Sequence, residues 1–219
     1  MKNTLRKTME CLIILGISAA FWQLALIPVA ETINKQLPLT PIQNLYCFIA
    51  LSTLIFLINW YVTKQGYLNW KTFQIDTETR KWLLFGILAT FILHFLSTFI
   101  GNLEGISYMR ATSSVGNYYL VIDLLLSVLL TPFAEELVFR KILTTLVFPK
   151  KLKLSLFIIG ILFAAIHFPV TLGDWVNQLG AAAILSIIYY KTRKIEAAIH
   201  IHIFMNLFMT ILYLWPIYS

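Results

Sequence analysis

Long apolar runs separated by short polar and basic stretches set the pattern of this chain. The runs open near Cys11, Ile42, Trp82, Asn117, Leu154, Trp175 and Ala197. They close near Ala30, Val62, Ile100, Val147, Phe168, Tyr190 and Trp215. A helix crosses the hydrocarbon core with about 20 apolar residues, so the pattern predicts an all-α, polytopic transmembrane helical bundle of about seven spans. Residues 1–219 then form a single integral-membrane domain. The basic start at Lys2, Arg6 and Lys7 imitates a signal peptide. The run behind it is long enough to span and no small-x-small cleavage site follows, so an uncleaved first span is expected.

Irregularities in the later runs matter more. The fourth run is longer than one untilted crossing and holds Pro132, which removes a helix hydrogen bond and predicts a kink close to Glu135. The fifth is short, about 15 residues or about 22 Å of helix against a core of about 30 Å. Pro169 disfavours helix at Phe168, so that helix should end there and leave His167 at a helix end within the membrane. Backbone over 169–173 must then be buried in protein or line a wet cavity, because lipid cannot satisfy it. Gly180, Ala181, Ala182 and Ala183 give the sixth span a small-residue packing face.

Composition agrees with the pattern. Hydrophobic residues make up 59% and charged residues 12%, where a soluble domain carries about 25% charge, and the mean hydropathy is +0.78. A net charge of +7 would suggest nucleic acid in a soluble protein. Here it fits cytoplasmic basic loops, and no nucleic-acid partner is implied. With the N-terminus inside and the spans alternating, nearly every lysine and arginine falls on the cytoplasmic side. Lys35 and Arg110 fall opposite, and Arg140 stands apart within the membrane. Tyr67 and Trp70 suit interface anchors. Cys11 and Cys47 sit in different runs and imply no disulfide framework, and no internal repeat or low-complexity segment is present.

Ionisable groups inside apolar runs are expensive and are kept where they are paired, hydrated or used. They form three short patterns here. Glu135 and Glu136 are adjacent, and Glu136 and Arg140 stand at i and i+4 with the acid first, the better order for an ion pair. Glu135 points about 100° away around the helix, so one arginine need not neutralise both acids. Phe163 and His167 share a face at i, i+4, as do His202 and Asn206. His94 and His200 read as packing residues. The three patterns suggest one shared polar cavity; separate helix-bridging hydrogen bonds are the alternative.

A carboxylate at the edge of water can serve as a general base, a histidine across from it can hold the same water, and a second histidine with an amide can steady an oxyanion. This set points to hydrolysis of an amide or ester. No serine or cysteine nucleophile, no H-E-x-x-H pair and no G-x-G-D segment competes with it.

The ordered set E-E-x-x-x-R, F-x-x-x-H and H-x-x-x-N resembles the CAAX-protease and bacteriocin-processing family, also called the Abi family or type II CAAX prenyl endopeptidases. The likeness runs from about Leu124 to Leu212, and a catalytic core over 117–212 is expected. The resemblance implies an intramembrane glutamate-type endopeptidase in which Glu135 and His167 activate water, and His202 and Asn206 form the oxyanion hole. Glu136 and Arg140 would hold the site, and Phe163 would pack beneath His167. The implied partners are the lipid bilayer and a membrane-associated peptide or protein substrate, in a bacterial plasma membrane, with bacteriocin processing or self-immunity as the setting. No cofactor is expected; the alternative is zinc on Glu135, His167 and His202. Competing readings are a non-catalytic immunity or regulatory protein and a small transporter, the latter disfavoured by the lack of inverted repeats.

Overall fold

The computed structural model of the chain describes residues 40–64, 75–105, 124–148 and 150–218, with Met9, Ile13 and Gly66. The expected first span with Cys11, the links holding Lys35 and Arg110, the anchors Tyr67 and Trp70, and the fourth run up to Asp123 lie outside the described residues. Among the described residues every regular element is helical. Helix α1 is Pro41–Lys64 and α2 is Thr77–Leu103. A composite rod over 124–147 is α3, followed by α4 (Leu152–Ala165), α5 (Leu172–Thr192) and α6 (Ile195–Tyr218).

By length and composition Pro41–Tyr61, Thr77–Leu103 and Ile195–Leu212 can cross a membrane, and α4 is a shorter apolar helix. These are the candidates among the described residues; the expected first span and the start of the fourth lie outside them, and the later helices have irregularities of their own. Rod α3 changes its hydrogen-bond register twice, and α5 opens on Asp174, Asn177 and Gln178. The outward stripe Leu84, Leu88, Ile92, Phe95 and Phe99 of α2 is exposed at helical spacing. So contiguous an apolar face suits lipid rather than water.

Helix ends explain where the boundaries depart from the apolar runs. Helix α2 starts at Thr77, ahead of the expected Trp82, because Asp76 caps it by accepting the Thr79 N–H at 2.7 Å. Lys194 and that same N–H hold the Asp76 carboxyl below the usual carboxylate range. Helix α5 starts in a capping box, with Asp174 N–H on Thr171 Oγ1 (3.0 Å) and Thr171 N–H on Asp174 Oδ2 (3.1 Å). Glu104, the C-cap of α2, accepts the N–H groups of Leu172 and Gly173, both at 2.9 Å, and ties the two helices together. Helix α4 ends at Ala165 rather than at Phe168. Pro169 denies Phe168 the right-handed helical region; Phe168 takes φ 50°, and the turn before it, Ile166 and His167, unwinds with it.

Two apolar cores hold the bundle. Leu137, Ile142, Leu143, Ile159, Phe163 and Ala198 join α3, α4 and α6, while Leu185, Ile188, Ile201 and Met205 join α5 and α6 to α2. Close approach of α2 and α5 depends on glycine. A Cβ on Gly180 would collide with Leu93 Cδ1, and one on Gly86 would lie 2.7 Å from Ile188 Cδ1 and 2.8 Å from Ile201 Cγ1. Overpacking such a contact costs about 1–3 kcal/mol. Gly180→Leu is therefore expected to lower the melting temperature of the detergent-solubilised protein, and Gly180→Ala to lower it less. A melting temperature unchanged by both would remove glycine from the account of this interface.

Candidate active site

Rod α3 carries the acids, and its backbone is unusual around them. The α-helical turn Thr131–Glu136 lies between two π-helical segments, Leu124–Leu130 and Leu137–Leu143, whose N–H groups reach the fifth carbonyl back. Such wide turns are rare and concentrate at functional sites. Pro132 opens the α-helical turn. Continued to residue 132, the π register would pair that N–H with the Ser127 carbonyl, and proline has none to give. Asn206 supplies the donor from α6: its Nδ2 lies 2.8 Å from Ser127 O. Thus Asn206, one turn beyond His202 on α6, has one amide hydrogen on the α3 backbone.

This assignment makes Pro132 and Asn206 a coupled pair. In Pro132→Ala residue 132 regains an N–H that can share the Ser127 carbonyl with Asn206, so Asn206→Ala should cost less there than in the wild-type background, by about 1 kcal/mol. Melting temperatures of the four proteins test it; strict additivity would show that the two positions act independently.

Glu136 and Arg140 form the inner layer. Arg140 Nη1 lies 3.0 Å from Glu136 Oε1, with the arginine 1% and the glutamate 0% exposed. His202 Nδ1 reaches the same oxygen at 2.9 Å. A carboxylate only accepts, so the imidazole donates and its Nε2 turns to the other acid. The Arg140 guanidinium also covers the Phe163 ring at 4.1 Å, a favourable cation–π geometry. Glu136 Oε2 and both Arg140 Nη atoms are buried without a hydrogen-bond partner among the described residues, so the 3.0 Å contact is an ion pair outside hydrogen-bond geometry.

Glu135 forms the outer layer. Its Oε2 is 3.5 Å from His202 Nε2, and its Oε1 is 3.9 Å from His167 Nε2. The second distance exceeds a hydrogen bond and is an electrostatic pairing. His167 Nδ1 lies 2.7 Å from the Phe163 carbonyl, an acceptor, so Nδ1 donates and Nε2 faces Glu135. Phe163 sits between the layers, with its ring centroid 4.7 Å from His167, 5.8 Å from His202 and 5.3 Å from Phe139. The Glu135 side chain is 8% exposed and that of His167 is 28% exposed, so the site opens on the His167 side.

The structure thus brings Glu135, Glu136, Arg140, Phe163, His167 and His202 together, while Asn206, one turn beyond His202 on α6, is engaged with Ser127. His200 lies outside, exposed, with Nδ1 2.6 Å from the Glu196 carbonyl. His94 packs edge-on against Phe208 at 5.5 Å. Ser127, the partner of Asn206, is absent from the sequence-level reading; its only signal is the spacing of five residues to Pro132. Among the described residues no group of three His, Cys, Asp or Glu donors closes around one point as a metal site requires. Glu135, His167 and His202 are the residues that would hold a zinc ion if the site takes one, and no step below passes through a metal.

Measured along the helices, Glu135 is about 18 Å from the Val147 end of α3, and α4 is about 21 Å long. Lys153 over Tyr190 (5.4 Å), Lys191 over Trp82 (5.2 Å) and Lys194 on Asp76 (2.7 Å) all gather at that end. The distance from Glu135 to the basic end of the bundle is thus more than half of a hydrocarbon core thickness of about 30 Å.

The family model described as type II CAAX prenyl endopeptidase Rce1-like matches residues 117–208. No curated protein and no solved structure matches the chain.

Proposed function

We propose, from the match of residues 117–208 to the family model described as type II CAAX prenyl endopeptidase Rce1-like, that the protein is an intramembrane glutamate-dependent endopeptidase. Its substrate class is a membrane-associated peptide or protein, and a bacteriocin or other membrane-active peptide is the expected member. In this reading the chain crosses the membrane about seven times, with the N-terminus and the basic end of the bundle cytoplasmic. The core lies over residues 117–212.

The observation that carries the reading is Glu135, a buried carboxylate faced by the Nε2 atoms of two histidines whose Nδ1 atoms are engaged elsewhere. Glu135 Oε1 and His167 Nε2 hold one water between them. As the water oxygen attacks the scissile carbonyl, Glu135 takes its proton. His202 in its doubly protonated form donates Nδ1–H to Glu136 and Nε2–H to the oxyanion, and an amide hydrogen of Asn206 completes the hole. Collapse breaks the C–N bond, and Glu135 returns the proton to the leaving amine. Arg140 and Glu136 fix His202, and Phe163 fixes His167.

Purified protein in liposomes is the test, presented with lipid-anchored peptides and assayed by mass spectrometry. Expected is a discrete cleavage product whose new carboxyl group carries oxygen from labelled water, formed equally with and without a metal chelator. Cleavage lost to the chelator and restored by zinc would replace the metal-free mechanism. Peptides that stay intact under every condition would favour a non-catalytic binding role.

A further inference from the structure

The outer face where α4 meets α5 carries a feature that catalysis does not use. A groove of about 470 Å³ runs between the two helices, floored by Leu156, Gly160 and Ala182 and walled by Phe157, Ala183 and Ile187. Its size falls among those of ligand pockets, about 300–1,000 Å³. It extends from Lys153 toward Ile161 on one side and from Lys191 back to Leu179 on the other. That is about 12 Å along α4 and about 18 Å along α5, close to half of a hydrocarbon core of about 30 Å. The groove is thus as long as one leaflet is deep.

Charge is confined to one end of it. Lys153 and Tyr190 line the groove and also a second cavity of about 540 Å³, shared with Lys150, Lys151 and Arg193. Lys153 and Arg193 hold their charges over the Tyr190 ring at 5.4 Å and 4.7 Å. Arg193 is set there by its left-handed backbone, φ 58°, as the C-cap of α5. Among the described residues no acid lines either cavity. An apolar channel one leaflet long that opens into an unneutralised basic pocket matches a molecule with an alkyl tail and an anionic head.

We infer that the α4–α5 groove is a binding site for an anionic phospholipid. One acyl chain lies over Gly160 and Ala183, and the phosphate sits on Lys153 and Arg193 beside Tyr190. Basic pockets between helices at the cytoplasmic surface bind anionic headgroups. The site is separate from Glu135, so the inference stands whether or not the chain is a peptidase.

Lipid titration of the full chain in detergent, followed by melting temperature and by native mass spectrometry, tests this. Phosphatidylglycerol is expected to raise the melting temperature and to stay bound, whereas phosphatidylcholine and soluble glycerol phosphate are not. With about 1 kcal/mol for each cation near the headgroup, Lys153→Gln combined with Arg193→Gln should weaken phosphatidylglycerol binding about thirty-fold. Ala183→Trp keeps every charge and fills the groove from an exposed position; it should abolish binding of the lipid. Equal responses to both lipids would overturn the anionic selectivity, and a response to glycerol phosphate equal to that of the lipid would overturn the groove. Undiminished binding in either variant, with native helicity by circular dichroism, would also overturn the assignment. If Ala183→Trp fails to fold, Ile187→Trp, at another exposed wall position, supplies the same test.

Discussion

Glu135→Gln is expected to lower peptide cleavage by about 10²–10⁴-fold or more, with the protein still folded and as stable as wild type. The amide has the shape of the carboxylate but cannot accept a proton from water. Two histidines face Glu135 at 3.5 and 3.9 Å, and its side chain is 8% exposed. The substitution therefore removes a charge that burial already penalises, and no stability is lost with the activity. This separation distinguishes a base from a helix-bridging residue, whose replacement would lower the melting temperature and leave turnover intact. Cleavage rate and melting temperature on one preparation give both numbers. His167→Ala should likewise abolish cleavage, with some loss of stability as well, because the ring packs on Phe163 at 4.7 Å and bonds its carbonyl.

Arg140→Met should do the reverse and damage the fold first. It leaves Glu136, fully buried, without its cation and strips the guanidinium from the Phe163 ring. Breaking one side of a buried pair costs about 3–5 kcal/mol, whereas replacing both partners by neutral groups of similar volume is often nearly neutral. Glu136→Gln added to Arg140→Met should accordingly restore much of the stability. It should not restore catalysis, since His202 Nδ1 then loses the carboxylate that orients it. Melting temperatures of the two singles and the double give the coupling energy. Additive losses would mean that the charges are not a pair in the membrane-embedded protein.

Local periodicity made part of this site legible. Glu136 with Arg140 and Phe163 with His167 are i, i+4 contacts, and helix geometry brings such residues together wherever the helix goes. The division of labour between the two acids follows from their turn of about 100° around α3: Glu136 meets Arg140, and Glu135 meets the histidines. Other features left no local trace. Pro132 signals a disturbed backbone but not the π-helical register on either side of Thr131–Glu136. The bond from Asn206 to Ser127 spans the bundle, as does the sharing of His202 between both acids. Glu104 capping Leu172 and Gly173 is likewise set by how α2 and α5 pack. The all-helical, membrane-spanning class was legible because the apolar runs are long enough to cross a bilayer, whereas the end of α4 moved by a turn because Pro169 acts on the backbone ahead of it.

The central claim is that Glu135 activates water and is not itself the nucleophile. Its most direct test is a single turnover of membrane-reconstituted protein in oxygen-labelled water, with product and protein both analysed by mass spectrometry. The account predicts label in the new carboxyl terminus of the cleaved peptide and none in the segment of protein that contains Glu135. Label appearing in Glu135, or the same product released at wild-type rate by Glu135→Gln, would contradict it.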